Sequence, residues 1–103
     1  MARLPLSNET LRRVAALFDG KDRGTATALL ETSCSRNLPF CESNSPKQLE
    51  RIQFAALKLS GGKLDLLRKA IDLANLDWRD LLVDAGFGDD VTAHIHWEPK
   101  RKA

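Results

Sequence analysis

Gly61-Gly62 divides two runs of helical apolar period, and that juncture commits the chain to helix-on-helix packing. Before it, Leu49, Ile52, Ala56 and Leu59 fall on one stripe, and Phe54 and Leu57 give the run a second apolar side. After it, Leu64, Leu67, Ile71 and Ala74 form an inward face that Leu66, Ala70 and Leu73 widen. Glycine accepts the left-handed backbone that ends a helix without steric cost. Ser45-Pro46 opens the first run, with Ser as cap, Pro in the first helical position and Gln48 completing a capping box. These two helices are expected at the centre of the fold.

The flanking segments follow the same grammar. Ser7 reads as an N-cap, with Leu6 and Leu11 at hydrophobic-staple positions. Leu11, Val14, Ala15 and Phe18 then mark one helical face, Glu9 and Arg13 pair four apart, and Asp19-Gly20 closes the helix. Asp22 is expected to cap a second helix to about residue 35, with Ala26, Leu29, Leu30 and Ser33 inward. Asn37-Leu38-Pro39 ends it, and Phe40 anchors the loop over 36–44. Asp77 is expected to cap a fifth helix to Ala85, stopped by a Schellman motif at Gly86-Phe87 in which Phe87 covers Leu82. Asp89 or Asp90 is expected to cap a last short helix ending near Trp97, and Pro99 prevents its continuation. No stretch shows β alternation. The expected fold is all-α, a compact bundle of five to six short helices in a single domain over 1–98, with 99–103 as a basic flexible tail.

The 103 residues are 43% apolar and 29% charged, ordinary for one globular domain and unlike a disordered chain. No apolar run reaches the length of a membrane span, and MARLPLSNETL lacks the apolar stretch of a secretory signal. A cytoplasmic location follows, with Cys34 and Cys41 reduced; their spacing matches neither C-x-x-C nor a zinc knuckle. Charge is uneven. Residues 1–62 hold nine Lys/Arg against six Asp/Glu, residues 63–98 hold four against eight, and Lys100, Arg101 and Lys102 end the chain.

The run FAALKLSGGKLDLLRKAIDLANLDWRDLLVDAGFG is similar to segments of small bacterial proteins of unknown function. The resemblance implies a bacterial, cytoplasmic, all-helical protein and assigns no functional residue.

Enzyme templates are missing: there is no Gly-x-Ser-x-Gly elbow, no His-Glu-x-x-His and no tyrosine. Cys34 and His94 as nucleophile and base is the remaining catalytic option, and nothing in the sequence requires them to meet. His94 and His96 lie two apart, so on a helix their rings point to opposite sides and no metal site is expected. Ser60-Gly61-Gly62-Lys63 lacks the upstream glycine and the Ser/Thr of a phosphate loop, and reads as a helix–helix turn. Asp77, Asp80 and Asp84 line one face; Asp84, near the helix end, has no local electrostatic reason to be acidic. Trp78 and Arg79 are residue types enriched at interface hot spots.

The corner from Arg79 to Trp97 has a helix-turn-helix outline, but its second helix offers no Lys or Arg, so the chemistry opposes DNA. Any nucleic-acid role would fall to Arg12, Arg13, Arg51, Lys58 and the tail. The expected function is a non-catalytic protein-interaction or regulatory module without cofactor. Its partner is a protein or a second copy as a homodimer, met through Trp78, Arg79, Asp80, Asp84, His94 and Trp97. Weak nucleic-acid binding through the basic N-terminal half and tail is the alternative.

Overall fold

Ser7 caps the first helix as its type and position demand: its backbone is extended, and its Oγ accepts the Thr10 N–H at 3.2 Å. The computed structural model describes residues 6–33, 46–88 and 93–99. They form α1 (Asn8–Leu17), α2 (Gly20–Ser33), α3 (Pro46–Ser60), α4 (Leu64–Ala85) and a 3-10 turn (Ala93–His96). No strand occurs among the described residues, and none of their helices is long and apolar enough to cross a membrane. The radius of gyration is 12.2 Å, in line with about 13 Å for a compact chain of this size.

α3 is central, as its two apolar sides require. Leu49, Ile52, Phe54, Ala55, Ala56 and Leu57 are all buried, so the helix meets neighbours around most of its circumference. α1 packs on it, and α4 forms its largest interface. α2 lies against α1 and α4, burying Ala26 and Leu30. Its outer threonines Thr25, Thr27 and Thr32 turn their hydroxyls back onto carbonyls four residues earlier.

The helix count of five to six is corrected to four α-helices and one 3-10 turn among the described residues. The expected fourth and fifth helices are contiguous in α4, broken only at Asp77, whose backbone is extended (φ −162°, ψ 106°). Asp77 Oδ1 accepts the Arg79 N–H at 3.0 Å, so a new helical arm starts there with no linker. A straight helix of this length would span about 33 Å. Instead both ends of α4 meet the last turn of α3: Lys63 N–H donates to Ser60 O, and Lys58 Nζ donates to Ala85 O at 2.8 Å. The break therefore folds residues 78–85 back toward the start of the helix. Trp78, Leu81, Leu82 and Ala85 face inward on that arm.

The Schellman stop is present. Phe87 N–H reaches Leu82 O at 2.8 Å, Gly86 N–H reaches Val83 O at 3.0 Å, and Gly86 sits at φ +81°. The last expected helix is only the 3-10 turn over its described part; Asp89 and Asp90 lie outside the described residues. So do Cys34, Cys41, Asn37, Leu38, Pro39, Phe40, Ser45 and the 100–103 tail.

Candidate functional site

The most unusual chemistry lies where α1, α3 and the C-terminal segment meet. α1 turns a different face inward from the one its leucines suggest. Thr10, Arg13, Val14 and Leu17 are buried, whereas Leu11 is exposed. Arg13 is 2% exposed. A buried guanidinium needs partners for its donors. Arg13 Nε and Nη2 donate to Trp97 O at 3.2 and 3.1 Å, and Nη1 donates to Glu9 O at 3.1 Å. Its Cζ stands 4.0 Å from the Phe54 ring centroid and 6.0 Å from that of Trp97. Beside it, the Thr10 hydroxyl donates to Gln53 Oε1 at 3.2 Å and Ser7 Oγ donates to Glu50 Oε2, fixing the register of α1 on α3.

Residues 93–99 cross this junction as a strap. His94, 5% exposed, stands edge-on to Phe54 at 5.4 Å and to Phe87 at 6.3 Å. Trp97 is half-buried and tilted against the same two rings at 6.2 and 6.4 Å. Outside the rings lies an exposed ionic cluster. Arg12 Nη1 and Nη2 each donate to Glu98 at 2.8 Å, and Arg12 Nη2 also donates to Glu9 Oε1 at 3.1 Å. These bonds hold the Glu98 carboxyl below its ordinary value of 4.5, and those from Arg12 and Arg13 do the same for Glu9. The two carboxylates raise Arg12 in turn.

The six residues named from sequence divide into two groups. Trp78, Arg79, Asp80 and Asp84 belong to the second arm of α4, and His94 and Trp97 belong to the strap. Trp78 is half-buried against the core, and its indole N–H has no acceptor among the described residues. Arg79 is exposed and forks onto Asp77 at 2.8 and 2.7 Å, which lowers the Asp77 carboxyl. Asp80 and Asp84 are exposed and form no ion pair with the described residues. Beside them Leu76 and Val83 are 73% and 67% exposed. Sequence reasoning missed these two apolar residues, along with Phe54 and Phe87 as parts of a site, and named Arg13 only for nucleic acid.

Of the cations named for nucleic acid, Arg12, Arg13, Arg51 and Lys58 are engaged internally. Arg13 is held as above, Arg12 pairs with Glu9 and Glu98, and buried Arg51 donates to Phe87 O. Lys58 caps the α4 terminus and stands 4.9 Å from the Phe87 ring centroid. Ser60 Oγ donates to Leu57 O at 2.6 Å and accepts the Gly62 N–H, so Ser60–Lys63 is a helix–helix turn. His94 is buried while His96 is exposed, and no group of three metal-ligating side chains occurs among the described residues. An open cleft of about 450 Å³ flanks the strap, lined by Arg12, Ala15, Ala16, Arg23, Glu98 and Pro99.

These features define an all-helical fold with a folded-back fourth helix and a pinned C-terminal strap. Comparison with family models, curated proteins and solved structures finds no match for the chain.

Proposed function

We propose that this chain is a non-catalytic protein-interaction or regulatory module whose partner face is the second arm of α4. The observation that supports this reading most is the exposed pairing of Leu76 and Val83 with Asp80 and Asp84. All four are exposed: Asp80, Val83 and Asp84 on the arm itself, and Leu76 just ahead of the break at Asp77. Exposed aliphatic surface beside carboxylates that form no ion pair among the described residues suits a partner segment carrying both apolar and basic side chains. Arg79 and the edge of Trp78 border the face. The proposed setting is the bacterial cytoplasm, with Cys34 and Cys41 as reduced thiols.

The test is chemical crosslinking in the native host, read by mass spectrometry on wild type and on Asp80→Lys/Asp84→Lys. Crosslinks from the α4 arm to one protein, lost in the variant while the far-ultraviolet circular dichroism is unchanged, are the expected result. Identical crosslinks from both proteins would remove this face from the account. The nucleic-acid alternative would draw on Lys100, Arg101 and Lys102, which lie outside the described residues. A titration with generic DNA and RNA at two salt concentrations decides it, because phosphate binding weakens steeply with salt.

A further inference from the structure

Among the described residues, the buried apolar side chains of the core come from residues 6–87; the strap adds the buried His94, with Ala93 and Trp97 partly buried against that core. What the strap covers is specific: Phe54 and Phe87, each against the Trp97 ring, with the buried Arg13 guanidinium lying across Phe54. Lifting 93–99 away would leave an aromatic floor, a fixed cation whose donors had lost the Trp97 carbonyl, and Arg12 without Glu98. The occupant seen here supplies the matching parts: an indole on the rings, its own carbonyl on Arg13, and the next residue's carboxylate on Arg12.

We propose that residues 93–99 are an internal, displaceable ligand, and that the cleft their displacement would open over Phe54, Phe87, Arg12 and Arg13 binds a partner segment carrying an aromatic residue followed by an acidic one. The strap then regulates access. While closed, it competes with any partner from the same chain, at an effective concentration on the order of millimolar for so short a tether. This reading is independent of the α4 face. It places the recognition chemistry in Arg12, Arg13, Phe54 and Phe87, with His94 and Trp97 as the resident occupants. The ring contacts supply affinity, and the two arginines read the backbone carbonyl and the carboxylate.

The experiment uses the full chain and a fluorescein-labelled peptide of residues 93–99, AHIHWEP, read by anisotropy. Trp97→Ala/Glu98→Ala weakens the resident strap and leaves the cleft intact. It is expected to bind the peptide at least about tenfold more tightly than wild type, whose own strap competes. Peptides carrying Trp97→Ala or Glu98→Lys should each lose about tenfold, the loss expected when a central contact is removed. Adding Arg12→Glu to the opened chain should restore binding of the Glu98→Lys peptide. The proposal is overturned if the opened chain stays helical and binds no peptide, or if binding ignores both peptide substitutions. Loss of the α1–α4 fold in the opened chain would also overturn it, since the strap would then belong to the core. A wild-type dimer in sedimentation that dissociates on opening the strap would instead assign the cleft to a second copy.

Discussion

Replacing Arg13 by alanine separates a structural guanidinium from a decorative one. Three of its donors reach two backbone carbonyls, Trp97 O and Glu9 O, and its plane covers Phe54. A hydrogen bond from a charged donor is worth about 1.5–3 kcal/mol. The three share one charge, so they count nearer one such bond than three. The cation over the ring adds about 0.5–2 kcal/mol. Relief of the guanidinium's burial cost opposes both. The net expectation is a loss of about 2–4 kcal/mol. For a chain of this size that corresponds to a fall in melting temperature of about 10–20 °C.

Urea denaturation followed by circular dichroism measures the loss directly, and a second variant divides it. Arg13→Met keeps most of the apolar stem but none of the donors, so it should recover only the packing share. If Arg13→Ala lies within about 0.5 kcal/mol of wild type, the range of an ordinary surface substitution, the guanidinium is not holding the strap and the reasoning fails.

Other perturbations probe the remaining joints. Leu81→Ala removes a fully buried side chain from the folded-back arm of α4; a loss of about 2–5 kcal/mol in urea is expected, and a loss near zero would mean the arm does not pack. Gly86→Ala adds a methyl at φ +81° whose nearest neighbour, Lys58 Nζ, is 3.6 Å away; the cost is backbone strain, about 1–2 kcal/mol, checked by thermal melting. Glu9 and Glu98 have carboxyl values below the ordinary 4.5, so their contribution is complete above that pH and is lost as pH falls through the folded values. Trp97 fluorescence in a Trp78→Phe background should therefore change on acidification past 4.5 before the helices melt, and Arg12→Met should remove that early change. Asp77→Ala should speed amide exchange at the start of the 78–85 arm relative to α3, and equal protection would count against the cap.

Local punctuation was legible because it acts over a few residues. The Ser7 cap, the Gly61-Gly62 turn, the Asp77 cap and the Gly86-Phe87 stop each follow from one residue's backbone preference or one short side chain. The central position of α3 was legible from its two apolar sides. The face of α1 was not. Leu11 looks inward by type and Arg13 outward, yet Arg13 is buried because its donors find a carbonyl 84 residues away in sequence and a ring on α3. No helical period encodes partners that distant. The direction of α4 after Asp77 was hidden for a related reason. The cap says that a new arm starts, but Lys58 and Arg51 on α3, by binding Ala85 O and Phe87 O, say where it goes. The candidate surface divided because His94 lies on the strap, edge-on to Phe54 and Phe87, whereas Trp78 to Asp84 lie on the second arm of α4.

The pinned strap is tested most directly by proton NMR of the unmodified chain. With the Arg13 guanidinium over Phe54 and bonded to Trp97 O, its side-chain resonances should move upfield and show nuclear Overhauser contacts to both the Phe54 and Trp97 rings. Random-coil shifts for residues 93–99, with an unshifted Arg13 lacking those contacts, would contradict the account.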